Sequence, residues 1–255
     1  NGPVWLDYLA GYLSTPVATP LTNMAYGAAQ TNYHPYTSSA ILGFRWQIDH
    51  YSSNVLMGGG ADPNALYTIW IGGNDLLNID PSADPSSPYY ADNVVANAIS
   101  NIVQGVSQLI GMGAQNIVIM NMPDLGATPL NNGDPATLLG GRMLAQGFNQ
   151  ALSDTLAYYN FSSLVNELIE LDVLALMDLF TDPSADLFDN TTEMLRDAGP
   201  TTDTYLFWDE IHPTTYAHDL IAQQVLTELS AVPVPGTFML LGFGLIGIVG
   251  LKRKQ

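Results

Sequence analysis

Asp209 and His212 have the residue types and the spacing for proton transfer. They sit in the run Trp208-Asp209-Glu210-Ile211-His212-Pro213-Thr214-Thr215. A carboxylate three positions ahead of an imidazole can hold the ring in one tautomer and stabilise it once protonated. The ring is then free to act as a general base on a nearby nucleophile. The same spacing also fits a loop carboxylate beside a surface histidine, so the chemistry needs further partners. One is Asn74, in Gly72-Gly73-Asn74-Asp75. An asparagine amide at the end of a strand can donate to a developing oxyanion, and flanking glycines let a substrate approach the backbone. A plain Gly-Asn turn is the competing reading. Gly27, in Asn23-Met24-Ala25-Tyr26-Gly27-Ala28-Ala29, can supply a backbone N–H as a second donor.

These residues need a scaffold that gathers them. Leu66–Ile71, Asn116–Met120 and Glu167–Leu171 are short apolar runs that read as strands, and Asn23–Tyr26 is a fourth candidate. Helical spacing covers residues 1–13 and about 39–55, 91–112, 137–160 and 214–230. Strands alternating with helices predict an α/β fold, a three-layer α/β/α sandwich around a parallel sheet. In such sheets ligands bind beyond the carboxyl ends of the strands, where Gly72–Asp75 falls. The Pro-, Ser- and Asp-rich stretch 80–90 reads as a loop. Trp70, Trp208 and Tyr26 are candidates to line an apolar pocket, with core packing the competing role for Trp70.

The order strand–Gly27, strand–Gly-x-Asn74, then Asp209-x-x-His212-Pro213 resembles the GDSL lipases and esterases, also called SGNH hydrolases. Asn1-Gly2-Pro3-Val4-Trp5 is similar to the stretch that follows that family's first block. Asn121-Met122-Pro123-Asp124-Leu125-Gly126-Ala127-Thr128-Pro129 resembles its Asn-Leu-Pro-Asp-Leu-Gly-x-Thr-Pro run. The resemblance spans roughly residues 1–230 and implies a flavodoxin-like sheet. It also implies roles: Gly27 and Asn74 as oxyanion-hole donors, Asp209 and His212 as acid and base, and Pro213 to fix the turn.

The family's nucleophile is the serine of a Gly-Asp-Ser block, and no such block occurs in the 255 residues. Ser14, Ser38 and Ser39 do not follow a strand in the needed way. The nucleophile and the first strand are therefore expected ahead of Asn1. On that expectation the 255 residues alone are poorly stable and hydrolytically inactive, because the neighbours of an inner strand lose their partner. Two activities compete for the whole protein: ester hydrolysis, with deacetylation of a carbohydrate as a variant, and a catalytically silent, surface-displayed binding or matrix protein on the same scaffold.

Composition narrows the partners. The net charge is −18, and residues 1–251 carry three basic against 24 acidic side chains. Such a body repels phosphate backbones, which argues against nucleic acid. There is no cysteine, which excludes disulfides and thiolate metal sites. His34, His50, His212 and His218 are scattered, so neither a metal nor a cofactor is expected. His34, His50 and His218 are expected at the surface.

The last residues differ in character. Val232-Pro233-Val234-Pro235-Gly236 breaks the chain. Residues 237–251 are almost wholly apolar, and Lys252-Arg253-Lys254 follow. This layout resembles the PEP-CTERM sorting signal of exported bacterial proteins, although Val234 stands where that motif has Glu. It implies export from a Gram-negative cell to the envelope or beyond, with residues 237–254 as a membrane anchor or the target of a sorting protease. The expected organisation is a hydrolase domain over 1–230, a Pro-rich linker over 231–236 and an apolar helix with a basic end over 237–255. The expected substrate is a small-molecule, lipid or carbohydrate ester.

Overall fold

A computed structural model describes residues 1–13, 21–34, 41–201 and 204–231. The elements run α1 (Trp5–Leu13), α2 (Phe44–His50, continued by one π turn at Tyr51–Val55), β1 (Leu66–Ile69), α3 (Gly73–Leu76), α4 (Ala91–Met112), β2 (Asn116–Met120), α5 (Pro135–Tyr158), β3 (Glu167–Leu171), α6 (Val173–Thr181), β4 (Asn190–Met194), α7 (Leu195–Ala198), β5 (Tyr205–Phe207) and α8 (Thr215–Ala231). Strands β1, β2 and β3 form a parallel sheet in that order, with Thr68 opposite Val118 and Val118 opposite Ile169. β4 and β5 form a second, two-stranded parallel sheet. The expected α/β/α sandwich is the observed fold.

Alternation along β2 builds the layers. Successive side chains of a strand point to opposite faces. Ile117 and Ile119 enter a core with Ile99, Ile102, Val106, Phe148 and Leu152 from α4 and α5. Val118 and Met120 enter the other core, with Leu9 of α1, Met177 and Phe180 of α6, and Ile221 and Val225 of α8. All four β2 residues are almost fully buried, as expected for a strand covered on both faces.

Helix ends explain the boundaries. Asp134 accepts the N–H of Ala136 and Pro135 occupies the first turn, so α5 starts two residues before the expected helix. Gly113, at φ +110°, closes α4 in the left-handed conformation that glycine tolerates. Asp172 caps α6, a nine-residue helix that apolar spacing alone does not set apart.

One expected strand is corrected. Residues 23–26 are irregular, because the Asn23 side chain accepts the N–H of Ala25 at 3.0 Å. That local bond offers the backbone an alternative to a ladder. A turn at Gly27–Ala28 follows, with Ala28 at φ +60°. The β4–β5 sheet is a further element that apolar runs did not reveal, because β4 is polar and half-exposed.

Among the described residues no helix is long and apolar enough to cross a membrane. The expected linker and apolar helix, residues 232–255, lie outside the described residues, as do Ser14, Ser38 and Ser39.

Candidate active site

The acid–base pair grows from the exit of β5. Trp208 donates its N–H to the His212 carbonyl at 2.8 Å, and Phe207 bridges Pro213. Thr214 donates its N–H to Leu206 and its hydroxyl to Tyr205. These bonds fold residues 208–213 into a closed turn. Inside it the Asp209 carboxylate accepts the N–H groups of Ile211 at 3.0 Å and His212 at 2.9 Å. His212 Nδ1 lies 3.0 and 2.9 Å from the two carboxylate oxygens. A carboxylate beside Nδ1 places the proton there and leaves Nε2 as the basic nitrogen. Partial burial works to raise the Asp209 carboxyl. The N–H of Ile211, the imidazole and the N–H of His212 together outweigh it and hold the acid below its ordinary value. The His212 side chain is 64% exposed and that of Asp209 19%, so the ring faces outward from a sheltered acid. Among the described residues, Nε2 of His212 has no hydrogen-bond partner.

Neighbouring segments brace this turn. Leu130, in the loop after β2, donates its N–H to Glu210 at 3.0 Å, and Arg196 of α7 donates its N–H to Trp208. Asn1 donates its side-chain amide to the Pro213 carbonyl at 2.9 Å. Thr215 donates to the Pro3 carbonyl.

Asn74 stands in α3, immediately after β1. The chain turns there through Gly72 at φ +117°, where a Cβ would lie 2.7 Å from the ring of Phe148. Only glycine meets both the angle and the close packing. The Asn74 amide donates to the Ala29 carbonyl at 3.1 Å, and the Asn74 carbonyl accepts from Gln30 at 2.9 Å. Next to it, buried Asp75 accepts the N–H of Thr31 at 2.9 Å and its hydroxyl at 2.7 Å. Burial pushes the Asp75 carboxyl up to about 6 against the pull of the Thr31 donors.

The structure therefore ties the loop that carries Gly27 to the Asn74 turn. Gly27 is exposed, and a Cβ there would meet nothing within 4 Å. Asp209 and His212 form a second unit. Among the described residues no hydrogen bond or ion pair joins one unit to the other.

The Asp75–Thr31 clamp was not anticipated, although Asp75 belongs to the quoted motif. Nor was the role of Asp124, which accepts from Gly126 at 2.8 Å and pairs with Arg142 at 2.6 Å. Arg142 also makes two bonds to Asp178 of α6. Trp70 meets Trp5 edge-on in the core, while Tyr26 is exposed and meets Trp46 edge-on. Of the other histidines His34 is exposed, as expected, whereas His50 ends α2 half-buried, stacked on the Trp46 ring. His218 is corrected. It is only 9% exposed, because α8 turns it inward, and burial pushes its imidazole down to about 4.

A parallel α/β sheet with a carboxylate-oriented imidazole and an asparagine turn beyond its strand ends is an arrangement that fits a carboxylic ester hydrolase. The chain belongs to the GDSL-like lipase/acylhydrolase family, whose profile matches residues 1–225. Residues 231–254 match the PEP-CTERM protein-sorting motif. Over 248 residues the chain is 26% identical to a thermolabile hemolysin of Vibrio parahaemolyticus serotype O3:K6, covering 89% of this chain and 54% of that protein. It is 25% identical over 246 residues to an acetylesterase of Thermothelomyces thermophilus, covering 88% and 74% respectively. A phosphatidylcholine-sterol acyltransferase of Aeromonas hydrophila is 25% identical over 197 residues, 77% of this chain and 50% of the relative.

Proposed function

We propose that the intact protein hydrolyses carboxylic esters by acyl transfer through a serine. The observation that carries the reading is the carboxylate–imidazole pair closed at 2.9 Å beyond the end of β5. His212 removes the proton of the serine hydroxyl as oxygen attacks the carbonyl, then returns a proton to the leaving alcohol. Water deacylates the enzyme by the same steps. Asp209 holds the imidazole and stabilises it while charged. Asn74 and the N–H of Gly27 hold the oxyanion.

The nucleophile is proposed in sequence ahead of Asn1, since none of the 255 residues forms a Gly-Asp-Ser block. Relatives named for an acetyl ester and for phosphatidylcholine support esters as the substrate class, with a carbohydrate or a lipid as alcohol. The sorting-motif match supports export to the cell envelope, with a hydrolase domain over 1–230, a linker over 231–236 and a sorting or anchoring segment over 237–255.

The test is ester hydrolysis by the intact protein beside its His212→Ala variant. Turnover lost in the variant is the expected result. Turnover that survives the substitution removes His212 from the chemistry. The alternative is a silent, surface-displayed binding scaffold, motivated by the sorting-motif match at residues 231–254. An intact sequence with no serine after an apolar strand ahead of Asn1 would support that alternative.

A further inference from the structure

We propose that the end of the molecule opposite the acid–base turn rests on a lipid bilayer, with Met57, Tyr158, Tyr159 and Leu164 in the headgroup layer and His212 turned away from it. This rests on the reading of residues 237–255 as an anchoring segment, and says how the folded body sits once that segment engages a membrane.

Topology sets up the face. β1, β2 and β3 are parallel, so the segments that lead into them share one end of the sheet. These are residues 56–65 ahead of β1, 113–115 between α4 and β2, and 159–166 between α5 and β3. Hydrogen bonds join them side by side. Ala61 donates its N–H to the Met112 carbonyl at 2.8 Å, and Asn166 donates its N–H to the Gln115 carbonyl at 2.9 Å. Asn116 donates its side-chain amide to the Pro63 carbonyl at 2.9 Å. The Asn74 turn and the loop that reaches Glu210 follow the carboxyl ends of β1 and β2, at the other end of the sheet.

The side chains on that face suit a lipid surface. Met57 and Tyr158 are 80% and 83% exposed, the highest values among the large apolar side chains described, and Tyr159 and Leu164 are more than half exposed. Tyr158 meets Tyr159 edge-on, and Tyr159 stacks on buried Phe161, so the rings are fixed at the surface. Asp62 is the one charged residue in the stretches 52–65, 113–115 and 157–166, in a chain with 24 acidic side chains. Such a patch costs free energy in water. In the headgroup layer a tyrosine buries its ring and keeps its hydroxyl wet. A more acidic face would be repelled by anionic lipids.

The segment after α8 leaves from the same end. Trp5 meets Trp70 edge-on just past the carboxyl end of β1. α1 starts there and descends the sheet to Leu9, which shares a core with Val118 in the middle of β2. Tyr8 bonds Thr215 at 2.9 Å and Tyr12 bonds Asp219, so α8 runs beside α1 in the same direction. Its 17 residues span about 25 Å and carry the chain from the His212 turn to the opposite end. In sequence, the apolar residues 237–251 and Lys252-Arg253-Lys254 follow, within the stretch that matches the sorting motif. A bilayer that takes up those residues lies beneath the face that carries Met57, Tyr158, Tyr159 and Leu164.

The experiment adds the intact protein to vesicles of phosphatidylethanolamine and phosphatidylglycerol. The 255 residues hold no cysteine, so none of them competes for a thiol-reactive fluorophore placed by Tyr158→Cys, Leu164→Cys or Leu139→Cys. Leu139 is exposed on the second turn of α5, at the carboxyl end of the sheet. Fluorophores at 158 and 164 are expected to shift to the blue and to lose most of their quenching by iodide when vesicles are present, while that at 139 stays unchanged. Met57→Asp with Leu164→Asp is expected to weaken vesicle partitioning by roughly tenfold or more.

Protein that floats with the vesicles while 158 and 164 stay as quenched as 139 overturns the face and leaves the anchor standing. Shielding at 139 in place of 158 and 164 overturns it too. So does shielding already present without vesicles, which marks a second copy of the chain as the cover. Protein that does not float overturns face and anchor together. Leu245→Asp with Ile246→Asp breaks the apolar segment. If that chain still floats with 158 and 164 shielded, the face is supported and the anchoring reading fails alone.

Discussion

The proposed chemistry at residue scale depends on two side chains that do different work with similar bonds. Asp209 accepts two backbone N–H groups as well as the imidazole. Asp209→Asn can therefore keep the turn closed through its remaining carbonyl oxygen while its amide presents a donor to Nδ1. The ring then flips its tautomer and Nε2 no longer accepts a proton. A fall in kcat of about 10⁴ with near-native stability is expected, read from ester turnover beside a thermal melt. A variant that melts early but keeps its kcat would place Asp209 in the fold alone. Asn74 has one amide proton on the Ala29 carbonyl, and in the proposed mechanism the other meets the oxyanion. Asn74→Ala should lower kcat by about 10²–10³, roughly 3 kcal/mol in the transition state, with little change in KM. A rise in KM at constant kcat would show a role in substrate binding instead.

The same turn is held at the scale of elements by the loop between β2 and α5. Asp124 anchors that loop by accepting the N–H of Gly126, and Arg142 ties Asp124 to Asp178 of α6. Gly126 packs so closely on α5 that a Cβ would lie 1.9 Å from the Leu138 carbonyl. From this base Leu130 reaches Glu210, inside the acid–base turn. Arg142→Met leaves Asp124 sheltered and unpaired. The cost is expected at about 2 kcal/mol, below the ~3–5 of a fully buried pair because the guanidinium is a third exposed. Guanidinium unfolding measures it, and Asp124→Asn in the same background should recover part of the loss. Equal stability of the single variant, the double variant and the wild type would show that the loop stands without the ion pair.

Legibility in the sequence divides along the same lines. β2, β3 and α4 are legible with the bounds the structure shows, because each carries an apolar period long enough to count. Asn23–Tyr26 looked like a strand only because its apolar residues follow one another, and the competing side-chain bond of Asn23 has no period. The Asp-x-x-His pair was legible because both partners lie in one turn. The Asp75–Thr31 and Arg142–Asp124–Asp178 links were not, since their partners are 44, 18 and 36 residues apart and no local pattern announces them. His218 was misread because helical spacing on α8 does not say that α1 covers that face.

For the molecule as a whole, two buried groups set how stability follows pH, and they pull in opposite directions. Burial holds Asp75 up at about 6, against an ordinary 3.8. The folded state binds that proton more tightly, so the contribution is complete below about pH 4 and lost as pH rises through 6. Burial holds His218 down at about 4, against an ordinary 6.5, with the charge of His212 adding to the effect and that of Asp7 opposing it. Here the unfolded state binds the proton more tightly. That contribution is complete above pH 6.5 and lost as pH falls through 4. Each amounts to about 3 kcal/mol, so the two largely cancel between pH 4 and 6. The acids held below their ordinary value, Asp49 and Asp209 among them, lose their contribution only under that window. Glu167 and Glu170, raised by burial, act with Asp75, and they remain in any comparison of variants. Asp75→Asn should therefore unmask a stability that climbs with pH across the window, and His218→Gln one that declines. Denaturation midpoints at half-unit pH steps, with constant m values, separate the two. If both variants trace the wild-type profile, neither group is protonated differently in the folded and unfolded chains.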